Sequence, residues 1–345
     1  MLVRLVGTAL VLVVLSSGAY ARDYVSLAGS STVFPFATVV AEKLGYNPKF
    51  KTPVVESGGS SVGKKGVCDG IGTQYIDIGN ASSRMKVKEL EYCSDNGISL
   101  TEIKIGYDGI VVASSKRGER LLISRSDLGK ALTAEVPNAT GDAWIPNPFK
   151  KWSDLNPAYP DIEIRVYGPP TTSGTRASYA ELINQKSYCG EDKVAKALSI
   201  ARGDKKGKKC RAMRTDGAYV EAGEQDNLIV QKLNEDPTAY GIFGFSYLDQ
   251  NSDSLEGAKL DGVAPTFEAI ASGEYKASRA LYFYVKHAHV GVVPGIEEYI
   301  TEWTKHWGDD GILADAGMIP MSRAERKEMM DRMNDLPALK AEDLM

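Results

Sequence analysis

Three short turns carry the residues best suited to chemistry. They are Ala28-Gly29-Ser30-Ser31-Thr32-Val33-Phe34-Pro35, Glu56-Ser57-Gly58-Gly59-Ser60-Ser61-Val62-Gly63 and Thr171-Thr172-Ser173-Gly174-Thr175-Arg176. Each follows a strand-like run and leads into a helical pattern. A helix start leaves backbone N–H groups without intrahelical partners and carries the positive end of the peptide dipoles, so it attracts anions. Glycine lets the backbone come close to a ligand, and hydroxyls add further donors. One such turn is ordinary capping. Three of them imply a shared anion site, because in α/β lobes these turns lie at the carboxyl ends of strands, where ligands bind. Arg176 is the guanidinium placed at one of these helix starts, able to fork onto two oxyanion oxygens.

Asp108 stands beside Gly109 among Ile105, Ile110 and Val111. A carboxylate in such surroundings needs a reason: it either serves the site or belongs to a turn at a strand crossing. Asp77 is a weaker candidate and reads more readily as structural. His287, His289 and His306 fall near the C-terminal end. His287-Ala288-His289 would suit a metal if it lay on a strand, but surface or helix-flanking roles are the expectation, so neither metal nor cofactor is called for. Ser31 and Ser173 have no histidine or lysine near them in sequence to activate them. The chain is expected to bind rather than catalyse.

The elements that must position these residues follow from apolar periodicity. Tyr24–Leu27, Lys51–Val55, Tyr75–Ile78, Ile162–Tyr167, Tyr240–Tyr247 and Ser278–Lys286 read as strands. The apolar stretch Ile103–Ser114 reads as broken at Tyr107-Asp108-Gly109. Helices are expected over Phe34–Leu44, Val62–Cys68, Ala177–Ile183, Gln225–Leu233 and Gly295–Trp307, the last with Ile296, Tyr299, Ile300 and Trp303 on one face. Residues 321–345 are charged, Met-rich and helical. Alternating strands and helices give an α/β fold with a mostly parallel sheet. The basic segment Lys205–Arg214 reads as a solvated loop.

Residues 1–21 read as a secretory signal. Arg4 precedes an apolar run, Leu5–Leu15, and Ala19-Tyr20-Ala21 has the small-x-small pattern of a cleavage site. Export makes the even set Cys68, Cys93, Cys189 and Cys210 a disulfide framework; locality favours Cys68–Cys93 and Cys189–Cys210 among the three pairings. The chain of 345 residues is long enough for two lobes. Its 41 basic and 45 acidic residues give a net charge of -4, which offers no global attraction to nucleic acid or an anionic membrane. Any anion site must be built locally.

The ordered motifs GSSTVFPF (29–36), ESGGSS (56–61), DIGNASSR (77–84), GYDGIVV (106–112) and TTSGTR (171–176) resemble the periplasmic phosphate-binding proteins of the phosphate-specific ABC importer, over roughly residues 24 to 320. The resemblance implies a two-lobe α/β periplasmic binding protein fold of type II, with phosphate held between the lobes and delivered to the permease subunits of an inner-membrane importer. Lobe one would be 23–108 with 282–345, and lobe two 109–281. The protein would be a periplasmic monomer with Asp108 at the hinge. Carried over residue by residue, the ligand would take Ser31, Thr32, the Val33 backbone, Ser60, and Ser173, Gly174 and Thr175, with Ser57, Ser82 and Arg84 as further candidates. The family's best-known members carry Arg and Asp just before Ser-Gly-Thr, where this chain has Pro169 and Thr171, so the guanidinium role falls to Arg176. They also place an Asp after the third strand, where Asn80-Ala81-Ser82-Ser83-Arg84 has none, so the acceptor of the phosphate proton falls to Asp108. The competing readings are another tetrahedral oxyanion (molybdate, tungstate or sulfate), an exported phosphatase, and an adhesion or envelope-structural role on the same scaffold.

Overall fold

The computed structural model describes residues 22–345; the expected secretory signal lies outside them. The strands that matter for the site are β1 (Ser26–Gly29), β2 (Val54–Ser57), β3 (Ile78–Ala81), β4 (Leu100–Ser115), β5 (Val166–Gly168), β6 (Tyr219–Glu221), β7 (Tyr240–Gly244), β8 (Leu255–Gly257) and β9 (Ser278–Lys286). The helices that matter are α1 (Phe34–Gly45), α2 (Ser60–Gly66), α3 (Val87–Asp95), α4 (Gly174–Tyr179), α5 (Asp226–Glu235), α6 (Phe245–Gln250), α7 (Ile296–Thr304) and α8 (Arg323–Asp335). A π-helical stretch, Ala180–Tyr188, continues α4.

One hydrogen-bonded path of strands runs β2-β1-β3-β9-β4-β7-β5-β6, with β8 joined to β4. In its first half β1 is parallel to β2 and β3, and β9 is antiparallel to β3 and β4. In its second half β4 is antiparallel to β7, while β5 is parallel to β7 and to β6. Strand β4 therefore serves both halves. It pairs with β9 over Leu100–Gly109 and with β7 over Ile110–Ser114.

Two hydrophobic cores flank this shared strand. The first gathers Leu27, Phe36, Val40, Ile103, Ile105, Leu281, Phe283, Tyr299 and Trp303. Helix α1 buries Phe36, Ala37, Val40, Ala41 and Leu44, the spacing of one helical face, and packs on α7, where the Tyr299 hydroxyl donates to the Ala37 carbonyl at 3.2 Å. Burying a side chain such as Phe36 contributes about 1.5–3 kcal/mol. The second core gathers Ile110, Val112, Trp152, Val166, Tyr179, Ile229, Tyr240 and Phe243, with Trp152 edge-on to Tyr240 at 5.3 Å between ring centroids. Membership changes from the first core to the second between Ile105 and Ile110 on β4, and back between Ala277 and Leu281 at β9.

Three sequence expectations need correction. The main sheet is not mostly parallel but evenly mixed, because β9 and β8 run antiparallel to their neighbours and β4 runs antiparallel to β7. The stretch around Tyr107-Asp108-Gly109 is not a break but the middle of a sixteen-residue strand; its buried carboxylate is tolerated because a cation stands opposite. The strand expected over Tyr240–Tyr247 ends at Gly244, and α6 starts there. That start is capped from afar, since Asp108 Oδ1 accepts the Phe245 N–H at 2.9 Å.

Disulfides join Cys68 to Cys93 and Cys189 to Cys210, the pairing that locality favoured. The first ties the end of α2 to α3. The second ties the π-helical stretch to the basic segment, which forms a short 3-10 turn at Lys208–Arg211. Among the described residues no helix is long and apolar enough to cross a membrane.

Candidate anion site between the two cores

The first turn leaves β1 at Gly29, whose φ of 143° is open to glycine and strained for other residues. A Cβ there would also meet the Asn80 carbonyl oxygen at 2.1 Å. The turn then enters α1, and Ser30, Ser31 and Thr32 are all buried. The third turn enters α4 with Ser173 as its cap, the hydroxyl accepting the Thr175 N–H at 3.1 Å. These two turns belong to opposite halves of the sheet, yet Thr32 Oγ1 and Thr175 Oγ1 lie 3.2 Å apart.

A guanidinium that sequence reasoning missed bridges them. Arg279 Nη2 donates to Thr175 Oγ1 at 2.7 Å, Thr32 Oγ1 at 2.9 Å and Asp108 Oδ2 at 3.0 Å. Arg279 and Asp108 are direct register partners on β9 and β4, so the ion pair sits on the strands that pass between the cores. Arg279 is 7% exposed, and its Nε and Nη1 are buried without a partner in the protein. Buried guanidinium donors left unpaired are costly, so water or a ligand is needed to meet them. One signal was available in the sequence: Arg279 opens a strand-like run, and antiparallel pairing of that run with the Asp108 stretch sets acid opposite base.

The second turn meets the third directly. Ser60 Oγ accepts the Ser82 N–H at 2.9 Å and lies 3.2 Å from Ser82 Oγ. Gly174 packs so close that a Cβ there would stand 2.3 Å from each of these hydroxyl oxygens. The Ser61 N–H donates to the Thr172 carbonyl at 3.1 Å, and the Tyr247 hydroxyl donates to the Ser31 carbonyl at 3.1 Å. The halves are therefore in contact around the cluster. Ser57 Oγ, beside it on β2, is buried without a partner.

Other expected residues lie elsewhere. Arg176 points away from the cluster: its Nη1 donates to Glu221 at 2.5 Å, and its guanidinium lies 4.7 Å from the centre of the Tyr219 ring. Arg84 grips Glu102 at 2.7 Å. Asp77 accepts from Arg22, from the Ser26 N–H and from His289 Nδ1, so it fastens the first core. His287 meets Thr101, and His306 meets Glu302.

Asp108 belongs to the cluster, but both its oxygens are engaged, one with the Phe245 N–H and one with Arg279. Burial pushes its carboxyl above the ordinary value, against the pull of Arg279. A second carboxylate, absent from the sequence reading, differs. Asp226 at the start of α5 is fully buried; Oδ2 accepts only the Gly244 N–H at 3.3 Å, and Oδ1 has no partner. Burial raises it to about 7; Arg279 and the Gly244 N–H oppose that rise, while Asp108 and Glu224 add to it. Nothing in a helical pattern beginning Gln225-Asp226 separates such a residue from an ordinary first-turn aspartate.

A buried guanidinium, converging hydroxyls and helix starts from both halves of the sheet form an arrangement able to hold a small multivalent oxyanion. A family model described as the PBP superfamily domain matches residues 16–306. The chain belongs to this superfamily. Among relatives of this PBP-superfamily protein, Protein SphX of Synechococcus elongatus is 28% identical over 270 residues, 76% of this chain and 68% of its own. The phosphate-binding protein PstS of Staphylococcus saprophyticus is 26% identical over 313 residues, 89% of this chain and 83% of its own. A Clostridium perfringens structure solved with bound phosphate superposes with a TM-score of 0.63 at 23% identity, covering 87% of this chain and all of that one. It shares the α/β fold expected from the sequence.

Proposed function

We propose that this protein binds inorganic phosphate between two lobes and delivers it to an ABC importer outside the cytoplasm. The observation that carries the reading is Arg279: a buried guanidinium on a crossing strand, holding a hydroxyl from each half and keeping two donors unpartnered. The named PstS relative supports the choice of ligand. Lobe one comprises 23–108 and 282–345, and lobe two 109–281. The ligand is held by Ser31, Thr32, the Val33 backbone, Ser60, Ser173, Gly174 and Thr175, with Arg279 in the role first given to Arg176. Two disulfides accord with an oxidising compartment.

The two carboxylates divide the work. Asp108 anchors Arg279, and Asp226 accepts the hydrogen that phosphate still carries at neutral pH. A buried carboxylate repels fully ionised sulfate, so it selects through an unfavourable contact. Asp226 thus replaces Asp108 as acceptor in this reading, because its Oδ1 has no protein partner whereas both Asp108 oxygens are engaged. The protein acts by binding, with no covalent step.

The test is calorimetry on ligand-stripped protein with phosphate, sulfate and molybdate. One-to-one binding of phosphate with little heat from the others supports the reading. Preference for sulfate or molybdate would keep the fold and replace the ligand, and silence with all three would sink an oxyanion function.

A further inference from the structure

A groove of about 480 Å³ opens beside the buried cluster and reaches Arg279. Arg84 and Lys86 line it from the segment between β3 and α3, Glu181, Lys186 and Arg211 line it from the π-helical stretch and the basic segment, and Arg279 lines it from β9. Glu181 is shared by Lys186 at 3.0 Å and Arg211 at 2.9 Å, while Glu102 holds Arg84 and Asp108 holds Arg279. The lining carries five cations and one carboxylate; counted with Glu102 and Asp108, the ion-pair partners of Arg84 and Arg279, these side chains sum to +2 in a chain whose net charge is -4. Lys86 is exposed. Burial raises the Glu181 carboxyl, but Lys186, Arg211 and, across the groove, Lys86 hold it below its ordinary value.

We propose that this groove is the route by which the anion enters, and that its basic walls steer phosphate to Arg279. The inference rests on the phosphate reading above. A cleft of one sign with low-dielectric walls concentrates counter-ions and raises association rates. Charges at such a rim act on arrival rather than on departure. Their reach shrinks with salt, since the Debye length is about 10 Å at 0.1 M and about 3 Å at 1 M.

The experiment measures phosphate association and dissociation by rapid mixing from low to high ionic strength. The proteins are the wild type, a Lys86→Glu/Lys186→Glu variant and a control. The control, Lys49→Glu/Lys51→Glu, changes net charge equally at exposed positions ahead of β2, at the opposite end of the parallel strands from the cluster. The expected wild-type association rate falls as salt rises. The groove variant should associate about tenfold more slowly at low salt, with dissociation within about twofold and the salt dependence inverted, while the control stays near wild type. A wild-type rate indifferent to salt, or a groove variant as fast as wild type, overturns the steering role and leaves the phosphate reading standing. Failure of wild type to bind phosphate at any salt overturns both.

Discussion

Arg279 has three protein acceptors on one nitrogen and two nitrogens without any, so its removal is felt twice. Losing a charge-assisted contact to the ligand costs about 1.5–3 kcal/mol, or roughly tenfold to over a hundredfold in affinity. Arg279→Ala also strands a buried Asp108, at a stability cost of about 3–5 kcal/mol. Arg279→Lys keeps the charge and should retain more stability than affinity; calorimetry and chemical denaturation on both variants separate the two effects. Arg176→Ala, by contrast, should change phosphate affinity by less than about threefold, because its guanidinium is spent on Glu221 and Tyr219. A tenfold loss there would return Arg176 to the site. Asp226 gives a pH signature. Its folded pKa of about 7 lies above that of an unfolded aspartate, so the native state holds the extra proton. Stability from this group is present below about pH 4 and is lost as pH rises towards 7. The shift corresponds to about 4 kcal/mol at most. Asp226→Asn should therefore gain stability relative to wild type across that window in ligand-free protein; a pH-independent difference would contradict the burial argument. The same protonation should narrow discrimination between phosphate and sulfate from pH 8 to pH 6 in wild type, and not in the variant.

At the scale of elements, the site depends on how closely two helix starts approach. Gly174 opens α4 against Ser60 and Ser82 of the facing half, with no room for a methyl. Gly174→Ala leaves α4 free to form but holds the halves apart. Phosphate affinity should fall by tenfold or more with thermal stability nearly unchanged, read by calorimetry and a melting curve; unchanged affinity would mean that this approach is dispensable. The two disulfides span 25 and 21 residues, lengths for which loop closure contributes about 3 kcal/mol each. A Cys189→Ser/Cys210→Ser variant should lose about that much in denaturant titration. The three turns were legible in the sequence because the same Gly/Ser/Thr junction recurs three times, where one alone would be ordinary capping. The pairing of cysteines was legible from locality. Arg279 and Asp226 were not, since each acquires its role from a partner far away in the chain: Asp108 lies 171 residues from Arg279. Arg176 misled because a guanidinium in the first turn of a helix points wherever the nearest acceptor lies, and Glu221 was that acceptor.

On the scale of the whole molecule, two cores share strand β4, and β9 leads back from the second to the first. The acid and base of the cluster face each other where the two strands pass between cores, so in the proposed site a change in their pairing would be felt at the ligand. This geometry fits hinge closure, in which a few residues at element boundaries absorb the motion. Its outline was readable from strand and helix alternation, whereas the unbroken run of β4 was not, because Asp108 and Gly109 look like a turn until a partner strand is supplied.

The same arrangement has a bearing on the order in which the chain organises itself during synthesis. The second core draws almost wholly on residues between Ile110 and Ala277, with Ile319 its one late recruit in the buried set. The first core needs Leu27 and Phe36 from one end and Leu281, Trp303 and Met333 from the other. The part made first is thus completed last. A ribosome adding roughly 5–20 residues per second leaves β1 and α1 waiting tens of seconds for their partners. Over that interval their apolar faces are exposed to aggregation, and a chain of this topology gains most from whatever keeps its leading segment unfolded until the trailing one arrives.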